Sequence, residues 1–277
     1  MKRQDGPLII VRGAGDISTG TLHRLFGAGF RVLALESAHP SAIRRKVAFS
    51  EAVYDGTAVV EGIAAVRISS IAEAEAAWDG EKLPILVDPK GESISLMNPA
   101  VVVDAILEKR NLGTARDMAP LTIALGPGFE AGRDVHYVVE TMRGHDLGRI
   151  IEKGCAMPNT GIPGIIGGFG AERVIHSPAD GTFYMLHDSG SMVTAGEEIG
   201  RVISEGDGGM EEIPVRTVIS GLLRGVIRDG YPVTKGFKLA DVDPREEELK
   251  NCFTISDKAR CIAGSVLELV CRGMWNN

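Results

Sequence analysis

The run from Gly13 through Gly15 to Asp16, followed by Gly20, has residue types and a spacing that suit phosphate binding. Glycines permit a tight turn and a close approach of backbone amides to a phosphate, and the N-terminus of a following helix favours negative charge. Glu36 comes about 20 residues later, where an acidic residue binds a ribose hydroxyl. The run departs from G-x-G-x-x-G, and the Asp16 carboxylate repels a phosphate unless a cation intervenes. It predicts a nucleotide or dinucleotide site, with a ligand-free turn as the alternative.

Other polar or glycine positions end or follow further predicted strands: Asp88, Gly126, Gly128, Arg143 and His145. Because ligands bind beyond the carboxyl ends of the strands in open α/β sheets, these residues join the predicted cofactor-binding set. A cation such as Arg143, a protonated His145 or a metal ion is then needed to offset the carboxylates. Turn chemistry at an Asp-Pro dipeptide is the alternative for Asp88. The apolar runs that predict these strands are 8–11, 32–35, 84–87 and 121–125.

Residues 134–141 alternate with period two, which places Asp134, His136 and Glu140 on one side of a strand. Such a set could hold a metal ion, but the favoured interpretation is the polar face of an edge strand. Cys155 is a lone cysteine near a glycine-rich loop, where it is either a nucleophile or an inert small side chain. Cys155 and His145 are the only catalytic candidates, and the catalytic residues are otherwise unassigned.

These residues need elements that position them. Strands that alternate with helices, including a helix predicted over 100–109, indicate an α/β fold with a Rossmann-like doubly wound sheet over residues 1–170. A small all-β domain is predicted for 171–245, because the segment 181–202 recurs 40 residues later. Residues 246–277 are predicted to form a tail that packs back onto the protein, and its helix is predicted to begin at Ser256-Asp257.

The repeat resembles the biotinyl and lipoyl carrier domains, which are barrel-sandwich hybrids made of two related halves. Those carriers are modified on a lysine between the halves. This chain has no lysine between Arg201 and Lys235, so biotin or lipoyl attachment is excluded.

Composition narrows the function further. The formal net charge of −7 argues against a nucleic-acid partner. The four cysteines show no C-x-x-C spacing, and no apolar run is long enough to cross a membrane. A cytoplasmic protein with reduced thiols is therefore expected, bound to a small-molecule cofactor and able to form a homo-oligomer.

A set of motifs along nearly the whole chain resembles the YqeB family, which is associated with the maturation of selenium-dependent molybdenum hydroxylases. The α/β part is also distantly similar to XdhC-type proteins. The resemblance implies an accessory protein that binds a nucleotide or molybdopterin-type cofactor, assists selenium or cofactor insertion and has a molybdenum hydroxylase as partner. The alternatives are an NAD(P)-dependent oxidoreductase and a non-catalytic scaffold. The motifs are Arg12–Asp16, Asp88-Pro89, Lys109–Thr114, Leu125–Phe129, Asp134–His136, Glu140–His145, Asn159–Gly164, Asp243–Arg245 and Ile255–Arg260.

Overall fold

The computed structural model describes residues 6–161, 164–206 and 209–275. The chain divides into two units. Unit 1 comprises residues 1–40, 48–160 and 255–277, and unit 2 comprises 41–47 and 161–254. This division differs from the boundaries 1–170, 171–245 and 246–277, since the C-terminal helix belongs to unit 1. Two predicted features fall partly outside the described residues: the Asn159–Gly164 motif, at 162–163, and the hairpin between the repeats, at 207–208.

Unit 1 is built on a nine-stranded mixed sheet. Its strands are β1 (Leu8–Arg12), β2 (Arg31–Glu36), β3 (Thr57–Val60), β4 (Ile63–Ile68), β5 (Leu83–Val87), β6 (Val101–Asp104), β7 (Leu121–Leu125), β9 (Tyr137–Val139) and β10 (Ile150–Ile151), while β8 (Glu130–Ala131) and β11 (Gly154–Cys155) form a separate pair. The spatial order is β10-β9-β7-β6-β1-β2-β5-β4-β3. In this order, all neighbouring strands between β9 and β4 are parallel. The edge strands β3 and β10 each pair antiparallel with their neighbour. The four predicted apolar strands are confirmed as β1, β2, β5 and β7.

Five α-helices occur in the described residues: α1 (Asp16–Gly27), α2 (Ala52–Asp55), α3 (Ala74–Asp79), α4 (Glu92–Met97) and α5 (Asp257–Trp275). The predicted C-terminal helix is confirmed as α5. The Ser256 hydroxyl caps it by accepting the Ala259 N–H at 3.2 Å, and apolar residues with helical spacing, such as Ile262 and Val266, are fully buried. Within the described part of the chain, no helix combines the length and apolarity needed to cross a membrane.

Helix α5 packs closely against α1. A Cβ at Gly20 would lie 2.8 Å from both the Cβ and the carbonyl oxygen of Ala259. Real side chains do not approach so closely, so the two helices can meet here only because residue 20 is a glycine. The contact brings the first turn of α5 to the N-terminal half of α1.

The helix predicted over residues 100–109 is wrong. Val101–Asp104 forms β6, a fully buried strand between β1 and β7. Three consecutive valines are β-branched and pack well in a sheet, which outweighs the helix-like spacing. Beyond the strand, Leu107 and Lys109 have φ values of 65° and 63°, in the left-handed region that a right-handed helix excludes.

Unit 2 consists of antiparallel sheets. Its strands are β12 (Val174–His176), β13 (Gly181–Met185), β14 (Met192–Val193), β15 (Glu198–Gly206), β16 (Gly209–Arg216), β17 (Gly221–Val226), β18 (Tyr231–Val233) and β19 (Lys238–Asp243). They form two four-stranded sheets, with the orders β12-β19-β17-β14 and β16-β15-β13-β18. Apolar residues of both sheets, including Phe183, Val202, Leu223 and Val242, share one buried cluster.

The two halves of unit 2 repeat their local geometry. Gly181 and Gly221 have φ values of 150° and 147°, and a Cβ at either would collide with a carbonyl oxygen, that of Ile203 or of Asp243. The pairing repeats as well: Gly181 pairs with Val233, and Gly221 pairs with Val193. Each half therefore contributes strands to both sheets.

The predicted fold class, a Rossmann-like doubly wound sheet followed by a barrel-sandwich hybrid, is wrong. The large sheet is mixed rather than parallel throughout, and the connection from β6 to β7 contains a 3-10 turn at Arg116–Met118 instead of an α-helix. Unit 2 has two separate four-stranded sheets. Apolar spacing identifies individual strands, but it does not specify the connections or the edge pairings that define a fold class.

Replacing Gly20 with alanine tests the helix contact. Alanine is the better helix former, but its Cβ must push α5 away. We therefore expect the free energy of unfolding to fall by about 1–3 kcal/mol. The matched change Gly264→Ala lies in α5, where a Cβ meets no atom within 4 Å, and it should stabilise the protein by about 0.5–1 kcal/mol. Urea unfolding of both variants measures this, and an equally stabilising Gly20→Ala would contradict the packing argument.

Candidate functional site

The turn between β1 and α1 lies at the carboxyl edge of the sheet, the edge where the parallel strands end. Gly13 has a φ of 99°, and a Cβ there would lie 2.7 Å from the Ala105 carbonyl oxygen, so the turn requires this glycine. Gly15 differs. It is the N-cap of α1 with a φ of −65°, and a Cβ there would meet no atom within 4 Å. The fold does not demand glycine at this position, and residue 15 leaves open space in front of the helix.

Glu36 ends β2, directly beside this turn. One carboxylate oxygen, Oε2, accepts the Ala14 N–H at 2.7 Å, and the other, Oε1, accepts the Ser37 N–H at 2.7 Å. Burial raises the pKa of Glu36 above its ordinary value, against the lowering effect of these two hydrogen bonds and of a third from the Ser37 hydroxyl. The side chain stays half-buried, and a carboxylate oxygen can accept a second hydrogen bond. Glu36 thus holds the turn and retains acceptor capacity.

Charged residues from three segments meet near the first turn of α1. Arg143 donates to both carboxylate oxygens of Asp257, at 2.8 and 3.0 Å. The next residue, Lys258, lies close enough to Asp16 and Glu140 for their charges to interact. Burial lowers the pKa of Lys258 below its ordinary value, and Arg143 adds to this, while the three carboxylates act in the opposite direction. The structure therefore brings the predicted residues Asp16 and Arg143 together around a lysine.

Sequence reasoning missed Lys258 as a site residue. Its position depends on the contact between Gly20 and Ala259, which no local pattern shows. One signal was present: a cation in the first turn of a helix opposes the helix dipole, so a lysine there is unexpected in a helix selected for stability alone.

The loop that carries Arg143 and His145 is held against α5. Ser265 donates its hydroxyl to the Gly148 carbonyl oxygen, and the Cys261 thiol donates to the Leu147 carbonyl oxygen at 3.3 Å. The His145 side chain is exposed. These hydrogen bonds fix the loop on α5, and α5 in turn packs against α1.

Asp88 serves the fold at the end of β5. Its carboxylate accepts the N–H groups of Gly91, Glu92 and Ser93 at 2.8–3.0 Å and the Ser93 hydroxyl at 2.6 Å, which caps α4. Burial raises the pKa of Asp88, but these hydrogen bonds outweigh it, so the pKa lies below its ordinary value. These contacts agree with the alternative given for Asp88, a role in the turn that follows the strand.

Gly126 and Gly128 allow close approaches between loops. A Cβ at Gly126 would lie 2.5 Å from the Thr141 hydroxyl oxygen, and one at Gly128 would lie 2.7 Å from the backbone of Arg110. Both have φ values in the left-handed region, 79° and 108°. Their contacts are with protein atoms, as is that of Gly20 with Ala259, so close packing accounts for all three glycines.

A buried polar network fills the centre of the carboxyl edge. The strand order reverses between β1 and β6, which is where open α/β sheets place ligands. Here Arg12, only 1% exposed, donates to the Thr114 hydroxyl, which in turn donates to Asp104. Arg12 also donates to the Pro89 carbonyl oxygen at 3.1 Å. Burial raises the pKa of Asp104, opposed by Thr114, Ile106 and Arg12.

The proposed metal ligands have separate partners. Asp134 accepts the Glu130 N–H at 2.9 Å, and His136 Nδ1 accepts the Thr122 N–H at 3.0 Å. Glu140 is buried, and its carboxylate accepts the N–H groups of Thr141, Met142 and Met157, each at 2.7 Å. Across the part of the chain that the structure covers, no three His, Cys, Asp or Glu residues are grouped to hold a metal ion. Cys155 is exposed in β11 as a free thiol.

Sequence comparison supports one resemblance. YqeB, an uncharacterized protein of Escherichia coli K12, is 46% identical over 263 residues, which are 94% of this chain and 47% of that protein. The resemblance to YqeB is confirmed at this level, and the chain spans about half the length of the curated relative that it matches. No protein-family model matches the chain.

Solved structures that match belong to another group of proteins. The product-bound ectoine utilization protein EutE (DoeB) of Ruegeria pomeroyi is 15% identical, with 86% of this chain and 85% of that chain covered and a TM-score of 0.27. An aspartoacylase family protein of Mesorhizobium loti is 11% identical, with coverages of 87% and 86% and a TM-score of 0.29. At these TM-scores the likeness transfers neither fold nor activity to this chain.

The predicted role in maturing selenium-dependent molybdenum hydroxylases is wrong by these comparisons. The matching structures are described as an ectoine utilization protein, an aspartoacylase family protein and a succinylglutamate desuccinylase/aspartoacylase, and YqeB is itself uncharacterized. The predicted links to selenium and to the molybdenum cofactor depended on that role and are wrong as well. Nothing in the comparisons points to the two alternatives, an NAD(P)-dependent oxidoreductase and a scaffold.

The variant Asp88→Asn tests the structural role of Asp88. We expect a loss of about 1 kcal/mol at neutral pH, because an amide has one acceptor oxygen, whereas both carboxylate oxygens of Asp88 accept hydrogen bonds from α4. Since the pKa of Asp88 is lowered in the folded state, its contribution is present above pH of about 4 and is lost as the pH falls through the folded value. Thermal unfolding of both proteins should show the difference shrinking in acid. A difference that stays constant down to pH of about 2 would contradict this.

Proposed function

We propose that this chain binds a nucleotide or dinucleotide at the carboxyl edge of the nine-stranded sheet, with its phosphates in front of α1. The observation that carries the proposal is the open space at Gly15. Gly15 is the N-cap of α1, and a Cβ at this position would meet no atom within 4 Å. The helix dipole and the N–H groups of the first turn favour a phosphate in such a space. One of these groups, the Ile17 N–H, already donates to Asp16 Oδ1 at 2.8 Å.

The charges around α1 bear on the same proposal. Asp16 alone would repel a phosphate, because it lies next to Gly15 in the first turn. Lys258 lies close enough to Asp16 for their charges to interact, and it offsets that carboxylate in part. Arg143 also acts on Lys258, but its own charge is paired with Asp257. The partly desolvated ammonium of Lys258 is available for a charge-assisted hydrogen bond to an anion.

The proposal assigns binding and leaves catalysis unassigned. Cys155 and His145 are both exposed, and no catalytic step is assigned to either. A small-molecule ligand is thus the partner proposed here. The cytoplasmic location and the homo-oligomer stay predictions from the sequence.

The variant Gly15→Val tests the proposal directly. Its side chain would fill the space in front of α1, so we expect the affinity for ADP to fall at least about tenfold, with a stability loss of about 1 kcal/mol from the poorer N-cap. The matched variant Gly27→Val changes the exposed last residue of α1, where a Cβ lies 3.9 Å from Ile63 Cδ1. It should bind ADP like the unaltered chain.

Isothermal titration calorimetry with ADP measures both affinities, and thermal unfolding confirms that the variants are folded. Unchanged ADP affinity in folded Gly15→Val would contradict the site. Failure of the unaltered chain to bind ADP, pyrophosphate or a dinucleotide would contradict the proposed function as a whole.

A further inference from the structure

Strand β3 is the last strand on one side of the nine-stranded sheet, and its outer edge is called the β3 edge below. It pairs antiparallel with β4 alone. The Arg67 N–H donates to the Gly56 carbonyl oxygen at 2.8 Å, directly before β3 begins, and this bond fixes the pattern of the ladder. Hydrogen-bonded and non-hydrogen-bonded pairs alternate along an antiparallel ladder, so the backbone N–H and C=O groups of Thr57 and Val59 point away from β4.

The outward backbone groups of the β3 edge are open. Among residues 6–161, 164–206 and 209–275, no group hydrogen-bonds to the backbone of Thr57 or Val59 on this side. The Val59 side chain is 65% exposed, and Thr57 is exposed as well. Each of the two residues therefore offers one donor and one acceptor to another strand.

The other edge strands of the described residues carry features that block such pairing. Strands β16 and β18 contain Pro214 and Pro232, which have no N–H to donate. Strand β12 has a bulge after Ile175, and β8, β10, β11 and β14 have two residues each. Strand β3 has no proline, no charged residue and no bulge. Because proteins protect edges that stay unpaired, an unprotected edge indicates a strand that is paired when the protein works.

The β3 edge is complementary to a second copy of itself. If Ala58 lies opposite Ala58 of the second copy, Thr57 lies opposite Val59 of the second copy, and these residues exchange hydrogen bonds through their outward groups. The two alanines then form the closely spaced pair, where small side chains fit. Thr57 and Val59 share a face with their β4 partners Val66 and Ala64. This strip is uncharged, so no like charges meet across the pair.

We propose that the β3 edge is the interface of a homodimer, in which the β3 strands of two copies pair antiparallel about a two-fold axis at Ala58. The arrangement is isologous and closed, and it joins the two nine-stranded sheets into one continuous sheet. The sequence predicts a homo-oligomer without naming a surface, and this proposal names one. It does not depend on nucleotide binding. The edge is short, so the dimer is expected to be weak and to dissociate on dilution.

Sedimentation velocity over a series of protein concentrations tests the interface. The unaltered chain should shift from monomer to dimer as the concentration rises. Val59→Lys places an ammonium on the β3 edge of each copy, diagonally across the axis from its counterpart, so we expect association at least about tenfold weaker. Val218→Lys is the matched control, because Val218 is similarly exposed, at 62%, and lies outside the strands. It should associate like the unaltered chain.

A second variant, Val59→Pro, removes one outward N–H and keeps an apolar side chain. The β3–β4 ladder does not use this N–H, so the variant should fold, with thermal unfolding as the check, and should also associate more weakly. A chain that sediments as a monomer at every concentration would overturn the proposal and leave a strand of another protein as the occupant of the edge. A dimer that persists unchanged in folded Val59→Lys and Val59→Pro would place the contact on another surface and overturn it as well.

Discussion

The close contact between α1 and α5 is the constraint on which the candidate site depends. Without a Cβ at Gly20, the backbone of α5 at Ala259 can approach α1 within the distance that a side chain would occupy. This contact brings Lys258 close enough to Asp16 for their charges to interact. The Arg143–Asp257 ion pair then ties the loop after β9 to the same place. Residues from opposite ends of the chain therefore share one electrostatic environment.

Elsewhere along the carboxyl edge of the sheet, the polar side chains are hydrogen-bonded to one another or to the backbone. Arg12, Thr114 and Asp104 fill the centre of the edge with a buried network, and Asp88 is engaged in capping α4. Polar groups buried in this way must satisfy one another, so they hold the strand ends and loops in fixed positions. The β1–α1 turn and Glu36 are left as the part of the edge that combines open space with acceptor and donor capacity.

The sequence predicts some of this arrangement and misses the rest for physical reasons. Apolar runs identify β1, β2, β5 and β7 because buried parallel strands need continuous hydrophobic residues. The same runs do not distinguish a strand from a helix segment, and β6 was mistaken for a helix although its three valines favour a strand. Glycines were assigned to ligand binding, yet Gly20, Gly126 and Gly128 are required for packing. Lys258 was missed because its partners lie far away in the sequence.

We propose that α5 supplies the cation, Lys258, that lets an anion bind in front of α1. The ADP affinity of Lys258→Met is the measurement to make, because the change removes the ammonium while keeping an unbranched side chain. Lys82→Met is the matched control, since Lys82 is exposed at the opposite edge of the sheet, just before β5. The account predicts ADP binding at least about tenfold weaker for Lys258→Met, no change for Lys82→Met and no loss of stability in either. A folded Lys258→Met that binds ADP as tightly as the unaltered chain would contradict it.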